Sequence, residues 1–193
     1  MASGRNRRMS TSPLDLASDR VALFDLSIRY AAAADSRDGD AFAELFEPEA
    51  ELMVPAYPDE LRPVVRRAGQ AVLRRIPGAL GGYVVTFHQV SNPTFRIEGD
   101  DAAGTVQCVA HHLTGQPGGE GATDLVWFIR YVDTYRRRDG SWRFRRRVLH
   151  LQWVEQHRVD LVGLPWAGPA DPADPADPAD TESDTESDEG EEA

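Results

Sequence analysis

Two side chains in this sequence sit where a plain hydrophobic core would not place them, and both can move protons. Asp35 ends a run in which Val21, Phe24, Ile28, Ala31 and Asp35 recur at steps of three and four, the period of one helix face. A carboxylate in register with that stripe must be paired, because unpaired burial costs too much. Alternatively it faces water at the helix end, since Ser36-Arg37-Asp38-Gly39 follows at once. His88 alternates with Val84, Thr86 and Val90, so the four side chains share one face of a strand. A core histidine bonded to a neighbour is the ordinary reading of such a position, and acid–base chemistry is the other. His111 and His112 are adjacent and point to opposite faces of their strand, so one of them enters the interior. No His-x-His or His-x3-His spacing occurs, and no metal site is expected.

Arg143, Arg145, Arg146 and Arg147 crowd one late segment. In a regular strand Trp142, Phe144 and Arg146 share a face, and Arg143, Arg145 and Arg147 share the other. An arginine in phase with two aromatic rings could reach an internal cavity, and a solvated outer face is the ordinary reading for most of the four. Cys108, the only cysteine, lies between Val106 and Ala110 and reads as a buried small hydrophobe rather than a nucleophile. All 21 basic residues are arginine; without a lysine amine, Schiff-base and pyridoxal-phosphate chemistry are excluded. The sequence has no Gly-rich phosphate loop, no serine nucleophile elbow and no dinucleotide fingerprint. No cofactor is expected.

The elements that must hold these residues follow from the period of the apolar positions. Ser18 is the expected N-cap of a first helix running to Asp35. A short second helix starts at Asp40 and stops at Pro48, Glu51 to Val54 is a short strand, Pro55 to Pro63 a loop, and Gln70 to Ile76 a third helix. After Gly81-Gly82 the period becomes that of strands: Tyr83 to Ile97 with a bulge at Asn92-Pro93, Ala103 to Leu113, Leu125 to Arg136, and Trp142 to Val154 after an Asp139-Gly140 hairpin turn. Helices followed by long hairpin-linked strands predict an α+β domain, a curved sheet with helices on one face.

Of the 32 acidic residues, 11 lie between Pro169 and Ala193, where there is no arginine, so the net charge of -11 resides there and Met1 to Gly168 is balanced. Nucleic acid is not an expected partner. Residues 1–17 read as a flexible N-terminus, 18–159 as the domain and 160–193 as a disordered acidic tail repeating Pro-Ala-Asp. Neither a signal peptide nor a membrane span is predicted, and a cytoplasmic location is the expectation.

Several segments in order resemble one family. Arg29-Tyr30-Ala31-Ala32-Ala33-Ala34-Asp35, Asp38-Gly39-Asp40-Ala41-Phe42 and Leu45-Phe46 are similar to the first two helices of SnoaL-like proteins, in the nuclear-transport-factor-2-like superfamily. Gly69, Thr86 to Asn92, Arg130 to Tyr135 and Arg138 to Phe144 follow in matching order, and the likeness runs from about Ser18 to His157. The resemblance implies a cone-shaped mixed sheet wrapped around N-terminal helices, with an internal apolar pocket. It also implies a branch with scytalone dehydratase, bile-acid 7α-dehydratase and hexachlorocyclohexane dehydrochlorinase, whose His–Asp dyad works without a cofactor. His88 and Asp35 match that dyad, and Tyr30 matches a tyrosine of the bile-acid enzyme. The dehydrochlorinase has lysine where Tyr30 stands, which argues for dehydration or cyclisation. Arg146 or Arg147 matches a late-strand arginine, Arg146 being favoured as an anion anchor.

The expected function is therefore a lyase or dehydratase acting on a hydrophobic, polyketide-like small molecule in natural-product metabolism, with His88 as base, Asp35 as its partner, and Tyr30, His112 or His111 as donors. An isomerase or cyclase would use the same dyad, and a non-catalytic binding or assembly subunit is the reading of another class. A working dyad requires His88 and Asp35 to lie within about 3.5 Å of each other. Phe46, Met53, Tyr57, Leu80, Trp127 and Trp153 are the expected pocket side chains, and a homodimer through the outer face of the sheet, with Trp127, Tyr131, Tyr135 and Trp153, is the expected assembly.

Overall fold

Ser12, rather than Ser18, starts the first helix. In a computed structural model, which describes residues 12–115 and 121–160, the Ser12 hydroxyl accepts from the Asp15 amide and the Asp15 carboxylate accepts from the Ser12 amide, each at 3.2 Å. This reciprocal cap, with Pro13 in the first turn, opens α1 (Pro13–Asp35). Residues 161–193 of the expected acidic tail lie outside the described residues.

The buried stripe of α1 is not the predicted one. Two stripes at steps of three and four coexist in this helix, and Leu23, Leu26, Ser27, Tyr30 and Ala34 form the face that packs inward, while Val21 and Ile28 are exposed. Periodicity cannot choose between two such stripes; the larger side chains Leu23, Leu26 and Tyr30 bury more area and decide it. Asp35 therefore stands at the edge of the core, half-buried.

α1 ends in a Schellman turn. The Asp38 amide bonds the Ala33 carbonyl at 3.0 Å and the Arg37 amide the Ala34 carbonyl at 3.3 Å. Asp38 then caps the short α2 (Gly39–Glu44) through the Ala41 amide. Gly39 is required there, because a Cβ would collide with the Arg74 carbonyl oxygen.

Six strands follow: β1 (Phe46–Ala56), β2 (Glu60–Ala68), β3 (Val85–Glu98), β4 (Asp101–Thr114), β5 (Ala122–Arg138) and β6 (Ser141–Val159). Between β2 and β3 lie α3 (Gln70–Leu73) and a 3-10 turn at Pro77–Gly82, where one helix to Ile76 was expected. The sheet order is β2-β1-β6-β5-β4-β3. All neighbours are antiparallel except β1 and β6, which are parallel, so the sheet is mixed. β2 occupies the segment expected as loop; its Pro63 and run of arginines suit an edge strand, which needs fewer ladder donors. Asp139-Gly140, both at positive φ, makes the predicted tight turn, and the Asn92-Pro93 bulge falls where β3 shifts register against β4. Among the described residues no helix is long and apolar enough to cross a membrane.

A second bulge decides which arginine points inward. Thr134 pairs with Arg146 and Tyr135 with Phe144, leaving Arg145 as the extra residue. The alternation is reset there, so Arg147 faces the core and Arg146 the outer face. Arg147 is fully buried. Its Nε and Nη2 donate to the two Asp133 carboxylate oxygens at 3.0 and 2.8 Å, and Nη2 also reaches the Ser27 hydroxyl on α1 at 3.1 Å. The guanidinium lies 4.0–4.3 Å from the centres of the Tyr30, Tyr131 and Phe144 rings. Phe42 and Phe46 pack against Tyr30 in tilted and edge-on contacts and complete the aromatic core.

Removing one partner of a buried pair strands the other charge. Asp133→Asn should lose about 3–5 kcal/mol in urea unfolding, whereas the double replacement Arg147→Met with Asp133→Leu should lose much less.

Candidate active site

Asp35 and His88 meet where the last turn of α1 crosses β3. His88 Nδ1 lies 2.6 Å from Asp35 Oδ1, inside the distance that a working dyad requires. Two more donors converge on the carboxylate: the Thr86 hydroxyl bonds Oδ1 at 2.9 Å and the His88 amide bonds Oδ2 at 2.9 Å. Burial raises the Asp35 pKa, but the His88 side-chain hydrogen bond, the imidazole charge, the His88 amide and the Thr86 hydroxyl outweigh it and hold it below the usual carboxylate range. An ionised carboxylate only accepts, so the imidazole must carry its proton on Nδ1, which leaves the Nε2 lone pair free. Helix phase did not bring these residues together; the helix end and the strand alternation did.

His112 faces the same side as His88, since Thr86 pairs with His112 and His88 with Ala110 in the β3–β4 ladder. Their rings stand edge to face with centres 5.7 Å apart. Tyr83 and Trp127 flank His112 at 4.9 and 5.1 Å, and Tyr57 lies tilted against Trp127 at 5.1 Å. These rings form the apolar wall beside the dyad. His112 Nδ1 lies 3.1 Å from the Leu125 carbonyl oxygen. A carbonyl cannot donate, so Nδ1 carries the hydrogen and Nε2 the lone pair. Burial pushes the His112 pKa down to about 4, which keeps the ring neutral. The expected donor role of His112 is thus corrected: its one N–H is committed to the backbone, and toward the site it accepts.

Other expectations are corrected as well. His111 faces the opposite side of the sheet, where its Nδ1 lies 2.6 Å from Asp124 Oδ2. Arg146 also faces outward, 3.5 Å from Glu51, into a groove of about 670 Å³ shared with Arg136 and Arg138; the bulge at Arg145 is the cause. Arg147, which does point inward, is committed to Asp133 and buried away from solvent. Tyr30 packs into the aromatic core rather than against His88, because five residues along a helix turn the side chain roughly 140° away from Asp35. Burial, opposed by the Arg147 charge, raises its hydroxyl pKa to about 12. Phe46 is wholly buried in that core. Met53 pairs with Val148 on the outer face. Tyr131 and Tyr135 are buried, and Trp153, stacked on Phe128 at 4.2 Å, is exposed on the outer face. Three residues of the site were not singled out for it by sequence: Thr86, whose signal was its alternation with His88; Arg37, whose signal was a non-glycine residue just past a helix end; and Tyr83.

A family model described as a SnoaL-like domain matches residues 15–148. No curated protein matches the chain. Among solved structures, a scytalone dehydratase-like protein from Novosphingobium aromaticivorans is 19% identical, with 75% of this chain and 91% of that chain covered and a TM-score of 0.62. A type-2 hexachlorocyclohexane dehydrochlorinase is 18% identical over 82% of this chain and 99% of its own, with a TM-score of 0.63. A type-3 dehydrochlorinase from Novosphingobium barchaimii is 19% identical over 76% and 94%, with a TM-score of 0.61. At these identities the likeness is one of fold.

The state of His112 has a consequence for stability. A depressed histidine pKa means that the unfolded chain takes up the proton first, so stability is complete above about pH 6.5, falls as pH drops towards 4 and levels off below. The loss attributable to His112 is of order 3 kcal/mol. Asp35, with its pKa lowered, adds stability that is lost only at pH below the usual carboxylate range. Unfolding of His112→Asn across this pH range should show a flatter profile than wild type; an identical profile would mean that His112 is not held neutral.

Proposed function

We propose, from the premise that the chain belongs to the SnoaL-like domain family, that it is a cofactor-independent lyase that dehydrates a hydrophobic small molecule. The observation that carries this reading is the 2.6 Å contact between His88 Nδ1 and Asp35 Oδ1. A binding or assembly subunit has no need of a carboxylate-backed imidazole with its second nitrogen free beside an aromatic wall.

The chemistry follows from the tautomer. His88 Nε2 removes a proton from the carbon next to a carbonyl or similar activating group, and the ionised Asp35 stabilises the imidazolium that forms. The electron pair left on carbon expels the β-hydroxyl. That hydroxide must take up a proton to leave as water, and neither His112, which accepts, nor Tyr30, which lies in the core, supplies it. The imidazolium of His88, which has just received a proton, is assigned that role, so one histidine carries the proton from carbon to oxygen and returns to its starting form. Isomerisation and cyclisation begin with the same proton transfer. Elimination is favoured because the solved neighbours include one named for dehydration and two named for dehydrochlorination. Dehydration is preferred to dehalogenation because Tyr30 stands where the dehydrochlorinase has a lysine. A polyketide-like hydroxy ketone is a substrate of this chemistry.

Wild type, His88→Ala and Asp35→Asn should be compared on β-hydroxy carbonyl substrates in metal-free buffer with chelator. Wild-type turnover with a loss of 10²–10⁴-fold in both folded variants is the expected result for acid–base catalysis. Full rate in both variants would assign the dyad a structural role.

The outer face of the sheet exposes Phe87, Val132 and Trp153, and we place a homodimer contact there. In sedimentation, wild type should run as a dimer and Trp153→Glu as a monomer; an unchanged mass for Trp153→Glu would remove that face from the assembly.

A further inference from the structure

Resting on the dyad reading, we propose that Thr86 and Arg37 are positioning residues of the proton-transfer machinery. With Asp35 and His88 they form one directed chain of hydrogen bonds, which fixes the carboxylate and leaves a single ring nitrogen free for substrate.

The direction follows from which groups can donate. A guanidinium has no acceptor. In the contact of 2.5 Å between Arg37 Nη1 and Thr86 Oγ1, the hydroxyl oxygen therefore accepts. Its one hydrogen is left for Asp35 Oδ1, 2.9 Å away. The carboxylate accepts that bond, the imidazole Nδ1–H on the same oxygen and the His88 amide on Oδ2. Each donor comes from a different direction, so the carboxylate cannot rotate without breaking one of them. The order of donation is thus Arg37 to Thr86 to Asp35, with His88 Nδ1 donating to Asp35 from the other side.

Arg37 needs an explanation of its own. It sits just past the C-cap of α1 with φ of 61°, in a left-handed position where glycine is the usual residue and a side chain costs about 1–2 kcal/mol. With one Nη1 hydrogen given to Thr86, the other is shared by the Ala34 and Asp35 carbonyl oxygens, each 3.0 Å from Nη1. A glycine would serve the turn better. What the arginine adds is a positive charge at the carbonyl end of the helix, one hydroxyl removed from the Asp35 carboxylate, and the donor that orients Thr86. Thr86 is itself buried, on β3 two residues before His88, so the same strand presents both the base and the hydroxyl that steadies its partner. A valine there would keep the branched shape and lose the relay.

The test uses the full chain with Thr86→Val, Thr86→Ser, Arg37→Gly and Asp35→Asn, each checked for fold by circular dichroism and melting temperature. Arg37→Gly relieves the left-handed strain, so loss of fold is not its expected outcome. The first readout, which needs no substrate, is the imidazole Nδ1–H resonance of His88 by proton and nitrogen NMR. It should be protected from exchange in wild type and Thr86→Ser, broadened or absent in Thr86→Val and Arg37→Gly, and absent in Asp35→Asn. On any substrate that wild type turns over, Thr86→Val should lower kcat by about 10²-fold, the scale for a misplaced catalytic group, with KM little changed, and Thr86→Ser should recover most of that loss. Retention of the resonance and of kcat in Thr86→Val and Arg37→Gly would overturn the proposal. So would a loss in Thr86→Val that serine does not restore, since that is general packing damage, and so would a wild-type protein with no protected Nδ1–H. A chain with no catalytic activity still yields the NMR result, so failure of the enzyme reading and failure of the relay are separate outcomes.

Discussion

The buried ion pair of Arg147 and Asp133 is the constraint around which this molecule is organised. A guanidinium with no exposure to water is tolerated only if its charge is met and most of its hydrogens are used; here Nε and Nη2 are bonded, and Nη1 has no hydrogen-bond partner among the described residues. Asp133 on β5 meets the charge, Ser27 on α1 takes a further hydrogen, and three aromatic faces surround the plane. These partners come from three parts of the chain, α1, β5 and β6. To satisfy the arginine, α1 must lie across β5 and β6 at one depth and in one rotation. Tyr135 donates to the same carboxylate at 2.8 Å, which ties the hairpin end of β5 to the pair. The cost of burying the charges is returned as specificity: few other packings of α1 would leave neither charge stranded.

That rotation of α1 determines what its last turn presents. With Leu23, Leu26 and Tyr30 inward, Asp35 emerges at the rim and faces β3. A carboxylate at the carbonyl end of a helix meets the negative end of the helix dipole, so this is an unfavourable place for an anion unless donors converge on it. They do so from Thr86, His88 and, one bond removed, Arg37. The bulge at Arg145 belongs to the same chain of causes. Without that extra residue the register that starts at Tyr135 and Phe144 would set Arg146, not Arg147, opposite Asp133, so the bulge selects which arginine is buried in the pair.

Much of the fold was legible in the sequence, because alternation and turn chemistry are local signals. The four long strands, the Asp139-Gly140 turn and the Asn92-Pro93 bulge needed only near neighbours to be recognised. The failures have one feature in common, that each depended on a partner distant in sequence. Two helical stripes of similar strength competed in α1, and only the sheet could choose the one with Leu23 and Tyr30. β2 looked like loop because Pro63 and its arginines are acceptable only at a sheet edge. Arg146 was preferred to Arg147 on strict alternation, which an inserted residue reverses. In the candidate site, Asp35 and His88 were visible as misfits to their own patterns, whereas the state of His112 was not, since it is set by the Leu125 carbonyl on the next strand.

The location of the dyad bears on how it could work. A helix carbonyl end is unfavourable for Asp35, but the same field favours positive charge nearby. Proton abstraction creates positive charge on the imidazole of His88, beside that helix end and against an ionised carboxylate. The resting site thus carries an anion held by donors, and in the proposed reaction the charge that develops is of the sign that Asp35 prefers. Electrostatic stabilisation that grows as charge develops lowers a barrier, whereas stabilisation already complete in the resting state does not. His112 contributes by being neutral: an imidazolium edge to face with His88 would oppose the charge forming there, and burial prevents it. The wall around the dyad is therefore not a passive container. Its rings keep His112 uncharged, so in the proposed reaction Asp35 meets the developing charge against one cation, Arg37, which already rests on the Ala34 and Asp35 carbonyl oxygens.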